Sequence, residues 1–294
     1  MGSYTIKDLE KLSGIKAHTI RIWEKRYKLI EPQRTSTNIR TYCDAELKKL
    51  LNISVLNRNG FKISKIATLS QEEVTENIAR LSQNSDDVNS TVENLTSAMI
   101  DMDENTFEKI LARSVIALGF EDTMIKVLYP FFVKIGVMWQ TGSINPAQEH
   151  FVSNLVRQKL LVAIDNQITG DKPGSKTFVL FLPEDELHEL GLLFYNYIVR
   201  KRGHKVIYLG QSVPLSDLVE VCKIRSCDYL VTSFTASKTS SELTEYLNTL
   251  AKEFSGKTIY ASGKHITDLE ENIPDNIITF VSPLELSHKL EQLK

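Results

Sequence analysis

Two clusters in this 294-residue chain have residue types and spacing suited to binding a ligand. The first is Glu186-Leu187-His188-Glu189-Leu190-Gly191, which follows the apolar run 177–182. A histidine placed where a buried strand gives way to a helix can reach past the sheet edge and ligate a metal or cofactor. Open α/β sheets bind their ligands at the carboxyl ends of strands. Glu186, two residues earlier, can hold the imidazole in one tautomer, as carboxylates behind metal-bound histidines do. Gly191 inside a helix costs roughly 1 kcal/mol against alanine, so a packing reason is expected for it. An isolated E-x-H-x-x-G is also what an exposed capping loop with a polar histidine looks like. The second cluster is Trp139, nine further residues, then Glu149-His150. An aromatic plate beside a carboxylate and an imidazole can cover a flat ligand and bind its polar edge. A structural tryptophan near an incidental Glu-His pair has the same appearance.

Length and composition restrict what these clusters belong to. A chain of 294 residues suggests two or three domains with ample core, and its apolar and charged fractions are ordinary for globular proteins. No run approaches the roughly 18 apolar residues of a membrane span, and the N-terminus lacks a secretion signal. Cys43, Cys222 and Cys227 are odd in number and scattered, so they read as reduced thiols and not as a disulfide or zinc framework. A cytoplasmic protein is expected. Its net charge of −2 conceals an asymmetry: residues 1–70 carry 14 Lys/Arg against 6 Asp/Glu, so a +8 head precedes a −10 body. That is the electrostatic footprint of a nucleic-acid-binding domain joined to something else.

The elements that must position these residues follow from periodicity. Residues 5–14 read as a short helix with Thr5 as N-cap and Gly14 as terminator, and 15–27 as a second helix built on Ile15, Ile20, Trp23 and Tyr27. Two helices about a glycine turn make a helix-turn-helix, whose second helix enters the major groove. Arginines flanking the polar tip of 32–42 suit a wing lying along phosphates. Asp44 is expected to cap the amphipathic helix 45–58, with one further short helix at 63–69. Residues 71–90 are polar and acidic, with a turn at 84–87. Helical periodicity then covers 88–102, 104–118, 120–139 and 146–168, a four-helix bundle in which Asn145 caps the last helix and Pro146 takes its first position. After a linker at 170–175, strands at 177–182, 205–209, 229–232, 258–261 and 277–281 alternate with helices near 187–201, 215–225, 240–254, 266–272 and 284–293. Continuous apolar strands alternating with helices predict a doubly wound, Rossmann-like parallel sheet. No G-x-G-x-x-G or P-loop opens it, which argues against a dinucleotide cofactor. The fold class is therefore multi-domain, α and α/β, with boundaries at 1–72, 73–169 and 170–294.

Several of these residues carry a family resemblance. Thr19-Ile20-Arg21-Ile22-Trp23-Glu24-Lys25-Arg26-Tyr27, with Pro32, Arg34, Arg40, Tyr42 and Asn59-Gly60-Phe61, resembles the winged-helix domain of MerR-type transcriptional regulators over residues 4–70. The resemblance implies promoter DNA as partner, with His18, Thr19, Arg21, Trp23 and Arg26 at the operator or its backbone and Arg34, Arg40 and Tyr42 on the wing. It also implies a homo-oligomer, dimer or tetramer, and RNA polymerase as a further partner. In the tail, 41 residues separate Gly191 from Ser233, and 26 separate Thr235 from Ser262-Gly263. Cobalamin-binding domains of methionine synthase, mutases and corrinoid proteins carry D-x-H-x-x-G, S-x-L and G-G at similar intervals. By that resemblance His188 is the lower axial ligand to cobalt and Glu186 its orienting partner. Gly191, Ser233, Thr235, Ser262 and Gly263 then line a slot for the nucleotide tail. Glu186 replaces the usual aspartate, Thr235 the usual leucine and Ser262 the first glycine.

A MerR-type head, a bundle with W-x9-E-H and a cobalamin sheet together resemble the light-sensing repressors that use adenosylcobalamin. In that family Trp139 caps the adenosyl group and Glu149 and His150 line its pocket. The photoreceptors commonly carry a histidine directly after the tryptophan; here that residue is Gln140, and a carboxamide ligates cobalt poorly. The expected function is a DNA-binding regulator whose oligomeric state and operator affinity depend on bound cobalamin. The alternatives are a corrinoid carrier of a methyltransferase or mutase, and a regulator with a degenerate cobalamin site. A carrier has no use for a basic winged helix, and no catalytic triad or carboxylate pair stands out, so catalysis is not expected.

Overall fold

The computed structural model describes residues 4–34, 40–84, 88–140, 144–167, 174–235, 239–263, 266, 269 and 273–293. The chain divides into two units, residues 1–155 and 156–294.

The first unit begins with a helix-turn-helix. Helix α1 (Ile6–Ser13) is closed at its start by a reciprocal capping box between Thr5 and Asp8, and at its end by Gly14 at φ +71°. Such a cap contributes about 1 kcal/mol. Helix α2 (Ala17–Tyr27) starts two residues later than the apolar spacing suggests, because Glu10 accepts the Ala17 N–H from α1. The wing strands β1 (Gln33–Arg34) and β2 (Arg40–Thr41) pair antiparallel, and Tyr4 bridges to Tyr42; the wing tip 35–39 lies outside the described residues. In helix α3 (Asp44–Arg58) Cys43, not Asp44, takes the N-cap position, and its side chain makes no cap hydrogen bond. The Asp44 carboxylate instead accepts the phenol of Tyr4 at 2.7 Å, a tertiary bond that local sequence could not reveal. Short α4 (Ile63–Ile66) is followed by α5 (Gln71–Asn84), a helix in the polar, acidic stretch for which no helix is read from the sequence.

The bundle comprises α6 (Val88–Ile100), α7 (Glu104–Leu118), α8 (Phe120–Thr123) and α9 (Tyr129–Gln140), with residues 146–155 of α10 (Pro146–Asp165), whose later residues belong to the second unit. A π turn, Met124–Leu128, joins α8 to α9 and shifts the register of what reads as one helix. Phe107, Phe131, Leu95, Met99 and Met138 are fully or nearly fully buried at its centre. The head is bonded to the bundle by buried charge. Glu93 of α6 is 3 % exposed; its Oε1 lies 2.8 Å from Arg58 and accepts the Ser54 hydroxyl at 3.2 Å. Arg58 and Ser54 also donate to the Ser13 carbonyl at 2.8 and 3.1 Å, so the same cluster holds the turn between α1 and α2.

The second unit is a five-stranded parallel sheet: β3 (Thr177–Pro183), β4 (Lys205–Val213), β5 (Tyr229–Ser233), β6 (Thr258–Ser262) and β7 (Ile277–Phe280). Their order is β4-β3-β5-β6-β7, a doubly wound arrangement. Strand β4 runs four residues beyond its apolar stretch, carried through bulged pairing of Phe181 and Pro183 with Gly210 and Val213. Helices α11 (Glu189–Lys201), α12 (Leu215–Ile224), α13 (Ser240–Glu253) and α14 (Pro283–Glu291) complete the described helices. Residues 178–182 are all 0 % exposed, so β3 is covered on both faces. Each such buried large side chain contributes roughly 1.5–3 kcal/mol. Cys222 and Cys227 are brought together by the α12–β5 connection with their sulfurs 3.5 Å apart, unbonded thiols.

Lys134 of α9 supplies a pH-dependent term to the first unit. Burial pushes its ammonium down to about 8, against the opposing attraction of Glu93 and with Arg58 adding repulsion. Between pH 8 and about 10 the unfolded chain therefore binds the extra proton, and stability rises with pH by on the order of 1.4 kcal/mol per unit at most. Below pH 8 this contribution is flat. Chemical denaturation of the wild type and Lys134→Met across that range should show the variant's slope reduced; equal slopes would remove Lys134 from the account.

Candidate functional site

The sheet builds its chain order outward from β3 in both directions, so the crevice between the carboxyl ends of β3 and β5 is its topological switch point. Two loops meet there. The loop after β3 turns on Asp185 at φ +67°, and the Asp185 N–H donates to Ser212 Oγ at 3.2 Å. Ser212 itself has φ +50° and donates its N–H to the Glu186 carbonyl. Positive φ at non-glycine residues costs of order 1–3 kcal/mol each and gathers where a site over-determines the backbone.

Glu186 is the centre of this arrangement. It is 2 % exposed, and its carboxylate has three donors. Oε1 accepts the His188 N–H at 3.0 Å and lies 2.6 Å from His188 Nδ1, while Oε2 accepts the Thr235 N–H at 2.6 Å. The carboxylate thus ties the loop after β3 to the loop after β5. With Nδ1 donating to a carboxylate, Nε2 carries the lone pair, the tautomer of a metal-ligating histidine. The imidazole is exposed, at 63 % of its side-chain surface, and stands at the N-terminus of α11.

Glu189, which sequence reasoning passed over, occupies the next position, the first residue of α11. Its Oε2 accepts Arg157 Nε and its Oε1 accepts the Tyr208 phenol, both at 3.0 Å. Burial and that carboxylate push the Tyr208 phenol far above its ordinary range. No sequence spacing links Arg157, Glu189 and Tyr208, which lie on α10, α11 and β4.

Around the ends of β5 and β6 the remaining expected residues gather. Ser233 and Ser262 are register partners, each 7 % exposed, and the Tyr195 hydroxyl donates to Ser262 Oγ at 3.2 Å. Thr235 is exposed. Gly263 has φ +127°, and a Cβ there would fall 2.0 Å from the Phe234 carbonyl oxygen. Gly191 differs: an added Cβ would meet nothing nearer than the Tyr195 hydroxyl at 4.0 Å. The expected internal packing reason for Gly191 is therefore not found, since its surroundings are otherwise open.

In the first unit, Trp139 is 60 % exposed near the end of α9, an unusual position for so large an apolar surface. Gln140 is the last residue of that helix, and 141–143 lie outside the described residues. Asn145 and Gln148 cap α10 reciprocally, Asn145 accepting the Ala147 N–H and Gln148 the Asn145 N–H. Glu149 and His150 follow in the first turn, 3.0 Å apart through Oε2 and Nδ1, with the Ser153 hydroxyl on Glu149 Oε1 at 2.6 Å.

On the helix-turn-helix, His18, Arg21 and Arg26 are exposed, and Thr19 lies 3.3 Å from the His18 ring. Trp23 is 8 % exposed and Tyr42 1 %, so both serve the core of the head. Arg34 is exposed on β1. Arg40 is not free: its Nε lies 3.2 Å from Glu24 Oε1, while Glu24 Oε2 accepts the Tyr42 phenol at 3.2 Å. Burial, with Glu24 reinforcing it, pushes that phenol up to about 12. Glu24 thereby fastens the wing to α2.

Comparisons with known proteins give the following similarities. Residues 4–73 match the model of the MerR HTH family regulatory proteins, and residues 91–163 that of a B12 binding domain. The chain is 28 % identical over 254 residues to the HTH-type transcriptional repressor CarH of Myxococcus xanthus, covering 84 % of each protein. It is 24 % identical to the repressor CarA of the same organism, covering 82 % of this chain and 80 % of that one. Among solved structures, the monomethylamine corrinoid protein of Methanosarcina barkeri has a TM-score of 0.54 at 18 % identity, covering 67 % of this chain and 95 % of that one. Among the described residues, no helix is long and apolar enough to cross a membrane.

Replacing Gly263 by alanine adds strain at φ +127° to a carbonyl overlap. It should lower the stability of the second unit by about 2–4 kcal/mol. Calorimetry would register this as a depressed melting transition; an unchanged transition would mean that the 234–263 contact yields readily.

Proposed function

We infer that this chain, a MerR-type transcriptional regulator that carries a B12-binding domain and is homologous to CarH and CarA, grips promoter DNA with a strength set by its bound cofactor. The observation carrying this reading is the Glu186–His188–Thr235 bond set at the sheet's switch point, in a chain whose head matches a DNA-binding family. The residues fit a cobalamin. A buried carboxylate holds Nδ1 and leaves one neutral nitrogen, Nε2, which suits a single axial position on cobalt. His188 would be that ligand and Glu186 its orienting partner. Gly191, Ser233, Thr235, Ser262 and Gly263 would hold the nucleotide tail, and Trp139, Glu149 and His150 would cover the upper substituent. In adenosylcobalamin, the form proposed here, the cofactor supplies a cobalt–carbon bond that visible light breaks.

The three functional segments proposed are 1–72 for DNA, 73–169 for covering the cofactor and 170–294 for binding it. Cofactor binding controls DNA only if two states of the protein bind it unequally. A homo-oligomer, dimer or tetramer, is the proposed element with two such states, acting in the cytoplasm with RNA polymerase as further partner. Whether light or cofactor abundance is the signal turns on Gln140, which replaces the imidazole that would hold cobalt after light. The likeness to a corrinoid protein favours the second reading, a carrier in methyl transfer. Such a carrier leaves the exposed Arg21 and Arg26 on a helix-turn-helix without use, so we propose no catalysis.

Two measurements test the reading. After incubation with adenosylcobalamin in the dark and desalting, the wild type should remain coloured; His188→Ala should lose the cofactor or shift its absorption band, and identical retention and spectra would end the role of His188. Arg21→Ala should weaken promoter binding and reduce the slope of log affinity against log salt by about one; superimposable isotherms would exclude Arg21 from the interface.

A further inference from the structure

We propose that Tyr195 is a gate over the nucleotide slot, so that this protein admits a corrinoid's lower tail only after the phenol has moved. The proposal rests on the cobalamin reading above and adds a residue that no sequence motif pointed to. Tyr195 sits on α11 one turn beyond Gly191 and is 6 % exposed. Its hydroxyl is the nearest atom to the bare face of Gly191, at 4.0 Å from where a Cβ would stand. The same hydroxyl donates to Ser262 Oγ at 3.2 Å, and the ring meets Phe280 of β7 edge-on, centroids 5.1 Å apart. One side chain therefore spans α11, β6 and β7, among the residues assigned to the tail.

The glycines around this phenol have different reasons for being glycine. Gly263 is required by its own backbone, since φ +127° and the Phe234 carbonyl leave no room for a Cβ. Gly191 is required by nothing in the fold, because a Cβ there meets only the movable end of Tyr195. A bare backbone kept beside a displaceable side chain is what a close-fitting ligand needs when that side chain swings away. A ligand group of this size wants a pocket on the order of 300 Å³ or more. A cavity of about 560 Å³ in this unit lies on the polar face of α13, lined by Ser240, Thr244 and Asn248.

Opening the gate breaks the Ser262 hydrogen bond and the Phe280 contact. Affinity for a tailed corrinoid is then reduced by the fraction of molecules that are open. A corrinoid without the tail, cobinamide, meets His188 without entering the slot and bears no such penalty. Titrating the full-length protein with cobalamin and with cobinamide, followed by absorption and by stopped-flow capture, separates the two. Tyr195→Val should tighten cobalamin roughly tenfold and leave cobinamide within about twofold. Tyr195→Phe, which keeps the ring and the fold, should give a smaller gain for cobalamin alone, and the wild type should capture cobinamide faster than cobalamin. If the variants shift both corrinoids equally, or the wild type takes cobalamin as fast as cobinamide, the gate is refuted while the cobalamin reading stands. Retention of neither corrinoid by any of the three proteins would overturn both.

Discussion

A carboxylate taken out of water must find its donors inside the protein, and Glu186 has three of them. An unpaired buried charge is costly enough that the structure around it is over-determined. That constraint organises the carboxyl edge of the sheet. Because one oxygen serves His188 and the other the Thr235 backbone, the loops on the two sides of the switch point cannot move independently. The imidazole is thereby oriented although most of its surface is exposed. The longer glutamate chain, in place of an aspartate, still reaches both loops.

The surrounding structure reinforces the same edge. Asp185 and Ser212 accept unfavourable backbone angles and bond to each other between the loop after β3 and the end of β4. Glu189 anchors the first turn of α11 through Tyr208 and Arg157. In the first unit the comparable device is Glu93, a buried acid bonded to Arg58 and Ser54, which in turn hold the turn of the helix-turn-helix. These bonds end on the Ser13 carbonyl, the last residue of α1. In both units, then, a buried carboxylate bonds segments that are distant in sequence.

Much of the fold was legible because its signals are local. Strands at 177–182, 229–232 and 258–261 appear within one residue of their predicted ends, since uninterrupted apolar runs flanked by polar turns leave little alternative. Thr5, Gly14 and Asn145 act at the helix ends where capping chemistry puts them. What failed depended on distant partners. Asp44 bonds Tyr4, forty positions away, instead of capping α3. The helix α5 covers a segment whose sequence reads only as polar and acidic with a turn. The thiols of Cys222 and Cys227, scattered in sequence, are neighbours in space.

The amino-acid order by itself determined which residues can do chemistry and on which kind of element each one lies. Side-chain type and short-range periodicity are properties of a few consecutive residues, and they persist whatever the rest of the chain does. Only the tertiary structure decided that Glu186 shares its charge with Thr235, that Glu189 meets Arg157 and Tyr208, and that Tyr195 stands against Ser262. Each joins residues 19 to 67 positions apart, with no repeating interval between them. Such contacts arise from strand order and loop closure, which the packing of the whole sheet selects.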